Sequence, residues 1–164
     1  MQKGLPWVHL EHFVGPSPPL VHHYTFLEGT STVTDILLLI SSASSFVGCD
    51  YLEIGSRRGE SLLHVLPYCQ SCYSLSLSEE ELKSMKVSEE FLANEGLLVK
   101  NEPRIVCIRH NSMTFDFSTL NKKFDLIFID GDHSYEAIYS DTKNAFTLLK
   151  NEKSVIVWHD CGYT

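Results

Sequence analysis

Two kinds of hydrophobic pattern alternate along the chain from residue 31 onward. Short, nearly continuous apolar runs fall at 50–54, 72–77, 104–109, 124–130 and 154–158. Runs of that length mark strands buried on both faces, as in parallel sheets. Helical patterns lie between them. Ser31 or Thr32 caps a helix with Asp35 in its first turn and Ile36, Leu37, Leu39 and Ile40 on its apolar face. A second helix runs from Glu60 to Leu66, with Pro67 near its end. Ser78 and Glu81 form a capping box for a helix through Met85, and Ser88 starts another that ends at Gly96. Ser134 caps a long helix with Ile138, Thr142, Ala145, Phe146 and Leu149 on one face. The alternation predicts an α/β fold over 31–164, a Rossmann-like, doubly wound and mostly parallel sheet. Its strand C-termini share one edge, and ligands bind at that edge.

Residues 1–30 read differently. Pro16, Pro18 and Pro19 oppose regular helix, so this stretch is either an irregular N-terminal arm or lid on the domain, or a loose leader. His22-His23 reads as a surface pair. The formal net charge of −8 repels phosphate backbones, which argues against a nucleic-acid partner. The longest aliphatic run, Ile36 to Ile40, is too short to span a bilayer, and the first residues lack the apolar stretch of a signal peptide. The expectation is a cytoplasmic protein with a small-molecule substrate and no membrane partner. Five cysteines, an odd number, point to free thiols. Cys69 and Cys72 form a CxxC with no companion pair, and read as buried thiols, not a metal site.

The candidate chemistry follows strand ends. Gly55-Ser56-Arg57-Arg58-Gly59 joins a strand to a helix, and its glycines let backbone approach a ligand closely. Its GxxxG spacing differs from the GxGxxG that favours a nicotinamide dinucleotide. Asp130-Gly131-Asp132-His133 places two carboxylates and an imidazole in four residues after the fourth strand, and His159-Asp160 follows the fifth. Neighbouring parallel strands bring these loops together, so Asp130, Asp160 and His159 are candidate ligands for a divalent cation. Carboxylates favour Mg²⁺, while a histidine ligand admits Mn²⁺ or another transition metal. His159 suits a substrate contact equally well.

Taken together these motifs resemble class I S-adenosylmethionine (SAM)-dependent methyltransferases. The segment from Leu52 to Ser61 is similar to their first SAM motif. The stretch from Phe124 to Tyr135, with Ile129-Asp130-Gly131-Asp132-His133-Ser134-Tyr135, resembles the fourth-strand motif of one branch. That branch holds bacterial small-molecule O-methyltransferases and cephalosporin-hydroxylase-like proteins, and Val155 to Asp160 resembles its fifth-strand ending. The resemblance implies that Glu53, Gly55, Ser56 and Gly59 line the methionine part of SAM. Asn111 and Ser112 lie beside the adenine, Asp130 and Asp160 bind metal, and His133 is a general base. The ribose-binding carboxylate usual at the second strand's end is replaced by Ser76, or by Ser78 or Glu79 just beyond. Arg57-Arg58 reads as a solvated turn, with one arginine also suited to the SAM carboxylate. The implied activity is metal-assisted O-methylation of a small hydroxylated molecule. A catalytically inactive methyltransferase-like binding module is the alternative. The family's sheet continues with a helix and an antiparallel strand pair. The expectation is a fold lacking those C-terminal strands, its open sheet edge covered in a homo-oligomer.

Overall fold

The structure, a computed structural model, describes residues 9–17, 19–22 and 24–159. Asp160 and Cys161 lie outside them, as does His23. The chain forms α1 (Glu11–Val14), α2 (Val33–Ser44), β1 (Cys49–Ile54), α3 (Glu60–Val65) and β2 (Cys69–Ser76). Then follow α4 (Glu79–Ser84), α5 (Glu89–Asn94), β3 (Ile105–Arg109), β4 (Leu126–Ile129), α6 (Tyr135–Leu148) and β5 (Val155–Trp158). The sheet is parallel throughout, in the order β3-β2-β1-β4-β5. This is the Rossmann-like architecture the sequence predicts. The chain builds outward from β1 to β3, then returns to lay β4 on the other side of β1. The order therefore reverses between β1 and β4, which opens a crevice beyond their C-terminal ends.

Strand alternation fills two cores, one per sheet face. Tyr51, Leu126 and Phe128 point to one face and pack with Leu39, Ala43, Leu62 and Val65 of α2 and α3. Leu52, Ile54, Ile127 and Ile129 point to the other and pack with Ala145 and Leu148 of α6. Removing water from each such side chain contributes roughly 1.5–3 kcal/mol. Cys49 and Cys72 belong to the first core, with Cys69 packed against it, and all three are free thiols. Four helix starts use the predicted caps. Thr32 with Asp35 and Ser78 with Glu81 close capping boxes, Ser88 accepts from Phe91 N, and Ser134 accepts from Ala137 N. Among the described residues no helix is long and apolar enough to cross a membrane.

Two sequence expectations need correction. The α6 face is rotated by about one residue. Ala137, Asp141, Ala145 and Leu148 are buried, whereas Ile138 and Phe146 are exposed. Both stripes satisfy helical spacing, but the small side chains allow α6 to lie close on β4. Thr142 has a different task, accepting a hydrogen bond from Trp158 Nε1 of β5 at 2.8 Å. The N-terminal arm is also not wholly irregular, because Glu11–Val14 forms one helical turn.

The edge of the sheet opposite the crevice is held by charge. Asp50, buried at the start of β1, takes Lys150 at 2.8 Å and Lys122 at 3.0 Å, with Ser71 and Gln70 hydrogen-bonded to the same carboxylate. Lys150 also reaches Asp125 at 3.0 Å, and Asp125 accepts from Asp50 N. Burial pushes the Asp50 pKa up, but Lys150, Ser71, Lys122 and Gln70 outweigh it and hold the carboxyl well below its ordinary range. A depressed carboxyl stabilises the fold above its unfolded pKa of about 4, and that stability is lost as pH falls further. Asp50→Ala is expected to cost about 2–3 kcal/mol in urea unfolding at pH 7 and about 1 kcal/mol less at pH 3, the remainder being lost only as pH falls toward the depressed folded value. An equal cost at both pH values would show that the carboxylate charge is not what holds this edge.

Candidate functional site

The crevice is a cleft of about 700 Å³ over the C-terminal ends of β1, β2, β3 and β4. Its floor depends on one close approach. Gly55, with φ of +97°, ends β1 where the chain following β4 crosses it. A Cβ at this position would lie 2.2 Å from the Asp130 carbonyl oxygen and 2.4 Å from Gly131 Cα. No side chain fits there. Backbone bonds fix the same crossing, Asp130 N donating to Ile54 O and Gly55 N to Leu75 O, both at 2.8 Å.

Most predicted site residues meet in this cleft. Gly55, Ser56, Ser76, Asn111, Ser112, Asp130, His133 and His159 all line it. Two do not. Glu53 is fully buried beneath the loop, where Tyr51 Oη donates to Oε2 at 2.6 Å and Ser61 Oγ to Oε1 at 2.7 Å. There it ties β1 to the start of α3 from below the loop. Gly59, with φ of +91°, starts α3 and packs against Val99, whose methyl would lie 2.5 Å from an added Cβ. Strand alternation explains Glu53: in β1 its neighbours Leu52 and Ile54 share one face, so it shares the other with Tyr51.

At the cleft's β4–β5 side, Asp130, His133 and His159 converge, and one ligand atom from each lies within 4.8 Å of the others. His159 Nδ1 is 2.9 Å from Asp130 Oδ1, and His133 Nε2 is 3.7 Å from the same oxygen. On the far side His159 Nε2 lies 3.5 Å from Asp35 Oδ2 of α2. Asp35 is itself held by the Thr32 cap through its amide and hydroxyl. Asp160, the third predicted metal ligand, lies outside the described residues.

The arm contributes a wall, through residues that sequence reasoning did not single out. Gly29, Thr30 and Ser31 line the cleft, and the arm is strapped to the Gly55–Gly59 loop. Arg58 is buried and donates to the Glu28 carbonyl at 3.1 Å and to Thr30 Oγ1, with Glu60 at 3.5 Å. Glu60 accepts from Thr25 N at 3.1 Å and from the Thr25 hydroxyl. His22 N donates to His64 Nε2 at 2.8 Å, which leaves the other ring nitrogen to donate to Glu60 O. Arg57 lies over the Phe91 ring at 4.3 Å and bonds the Glu28 carbonyl. The arginine pair, Arg58 buried and Arg57 half-buried, therefore clasps the arm instead of forming a solvated turn. Nothing in local spacing signals it, because the partners are some thirty residues away.

The comparisons with known proteins agree with this geometry. The methyltransferase-domain family matches residues 52–161. The chain belongs to that family. No curated protein sequence matches it significantly. Among solved structures, cofactor-bound Rv0187 from MTB superposes with a TM-score of 0.58 at 20% identity, covering 80% of this chain and 57% of the other. The O-methyltransferase from Bacillus cereus, solved with S-adenosylhomocysteine, gives 0.57 at 19%, covering 80% and 58%. TomG from Streptomyces achromogenes, solved with SAM, gives 0.57 at 18%, covering 79% and 56%. The chain spans a little over half the length of these structural relatives.

Two outcomes check this account. Gly55→Ala is expected to destabilise by about 3 kcal/mol or more, because it combines a positive φ with a backbone clash. Near-native unfolding in urea would show that the two loops separate easily. Burial pushes the Glu53 pKa up to about 7, with Tyr51 and Ser61 opposing it. A raised carboxyl lowers stability as pH rises from about 4 to that value, then no further. Glu53→Gln is expected to remove this slope and to gain on the order of 2 kcal/mol at pH 8 relative to pH 5. An unchanged slope in the variant would place its origin elsewhere.

Proposed function

We propose that the chain binds SAM in this cleft and transfers its methyl group to a hydroxyl of a small molecule, assisted by a divalent cation. The carrying observation is the convergence of Asp130, His133 and His159 beside the Gly55 loop. SAM supplies a methyl group on a sulfonium, already activated for in-line attack. The donor set fits a cation: the Asp130 carboxylate oxygen and one imidazole nitrogen of His159, 2.9 Å apart, suit Mn²⁺ or a similar transition ion better than Mg²⁺. Asp130 and His159 would hold it, and the metal would lower the pKa of a bound hydroxyl. Asp35 keeps the His159 ring turned toward Asp130. His133 is the most exposed of the three and stands at the cleft wall, where it accepts the acceptor's proton at Nε2. Such proton removal contributes about 10²–10⁴-fold. The backbone at Gly55 and Ser56 admits the cofactor closely, and the strapped arm limits water on that side. Solved relatives that bind SAM or S-adenosylhomocysteine support the cofactor, and the O-methyltransferases among them support oxygen as the acceptor atom. The free thiols at 49, 69, 72 and 107 support a reducing, cytoplasmic setting.

Calorimetry with S-adenosylhomocysteine is expected to show saturable binding of one molecule per chain. Absence of binding would sink the reading at its central step. Turnover on a panel of hydroxylated small molecules is expected to fall about 100-fold or more in Asp130→Ala and on chelation, with Mn²⁺ restoring the chelated enzyme. Full activity in chelator would remove the metal from the mechanism and leave the rest standing.

A further inference from the structure

One carboxylate in the cleft has no role in the site described so far. Glu95 is the residue that ends α5, and its side chain is 14% exposed on the cleft wall. Its position is built, not incidental. Arg109 Nη1 donates to Glu95 Oε1 at 2.8 Å and also to Ser76 Oγ. Ser76 and Arg109 are register partners at the C-terminal ends of β2 and β3. The next residues are tied to the cofactor loop, Gly96 N donating to Arg57 O at 2.7 Å and Leu98 N to Arg58 O at 2.9 Å. Gly96 leaves room for Arg109 Nη2, which would be 2.8 Å from a Cβ there.

The other acids near the end of β2 are committed elsewhere. Glu79 is exposed and pairs with Lys83 at 2.5 Å. Glu81 closes the capping box on Ser78 and accepts from Asn111 N at 3.1 Å. Glu95 is thus the carboxylate that reaches the cleft beside Ser76. Arg109 donates to Oε1 and the Ser76 hydroxyl reaches the same carboxylate, and a carboxylate with two oxygens keeps capacity to accept further donors. Burial pushes the Glu95 pKa up despite Arg109 and Ser76. Arg109 also cancels its charge, so neutral hydroxyl donors suit it better than a cation. Leu77, Leu82 and Met85 give the neighbouring wall an apolar surface, and Asn111 and Ser112 add polar groups. That combination fits a planar base attached to a ring with two adjacent hydroxyls.

We infer that Glu95, oriented by Arg109, receives the vicinal ribose hydroxyls of a nucleoside ligand, a task the sequence left to Ser76, Ser78 or Glu79. The inference rests on the SAM reading above. Arg109 is a positioning residue: it makes the carboxylate face the cleft.

The test is binding of S-adenosylhomocysteine and its 2′,3′-dideoxy analogue to the full chain by calorimetry. The wild type is expected to prefer the ribose form by about tenfold or more, the scale of hydrogen bonds to a charged acceptor. Glu95→Gln is expected to shrink that ratio to about threefold or less with the dideoxy affinity unchanged. Arg109→Lys, which keeps the charge but loses the fork, is expected to give an intermediate ratio. A purely structural role would weaken both ligands equally and leave the ratio intact, which overturns the inference. If Glu95→Gln does not fold, Glu95→Asp replaces it, with an intermediate ratio expected and a wild-type ratio overturning the idea. A wild type that binds both ligands equally defeats the Glu95 assignment alone. A wild type that binds neither defeats the SAM reading and the assignment with it.

Discussion

The contact between Gly55 and the Asp130 carbonyl is the constraint on which the site depends. A parallel sheet that reverses order between β1 and β4 sends two chains out of the same edge side by side. They must diverge at once for a ligand to enter. Here they cross with less than a side chain's width between them, and Ile54 O and Asp130 N lock the crossing. Everything with candidate chemistry is measured from that point. Ser56 follows it on one strand end, and Asp130 and His133 follow it on the other. His159 is set by the next strand, its N bonded to Ile129 O.

A second constraint acts from outside the sheet. Arg58 and Glu60 lie on the Gly55–Gly59 loop and at the start of α3, yet both direct polar groups to the arm. Two buried charges so close to the cleft would be costly alone. Paired with each other and with the arm's carbonyls and hydroxyls, they instead fix the arm as the cleft's wall. The arm thereby gains order that its proline-rich composition does not supply. The link between arm and loop also means that a change in either is felt at Gly29–Ser31, where the cleft is lined.

Much of this was legible in the sequence, and the reasons differ by element. The five strands show as apolar runs because both sheet faces are covered, so their side chains have no polar alternative. The capping boxes at Thr32 and Ser78 are readable because a cap is a local interaction over three residues. Gly55, Asp130, His133 and His159 were found because strand ends collect ligand groups in this architecture. What was hidden is what depends on distant partners. Glu53 looked like a ligand residue because it precedes the glycine loop, but the pleat turns it inward to Tyr51. Arg58 looked solvated because its partners come from the arm. The α6 face was misread because Ala137 and Ala145 let the helix lie close on the sheet, an advantage of small size that a hydrophobic stripe does not show. Glu95 carried no local signal, since only folding brings it to Ser76 and Arg109.

The carboxylates divide by edge, and the division separates stability from chemistry. At the edge where β1 begins, Asp50 is surrounded by lysines and donors, and its charged form is favoured. At the opposite edge, Glu53, Glu95 and Asp141 all have raised pKa values, each with burial as the largest cause. Asp141 lies under Gly131, close to where a Cβ on that glycine would be, with the Ser112 hydroxyl and Asp132 nearby. Burying three acids beside one cleft costs the fold free energy, against which the Asp50 network contributes. Perturbed acids grouped in a crevice mark places where a ligand completes the hydrogen bonding. Of the three, Glu53 is satisfied internally and Asp141 is closed off by α6, so the burden of meeting a ligand falls on Glu95. The cleft is therefore less stable by itself than filled, and a ligand that brings hydroxyl donors to that wall stabilises the fold as it binds.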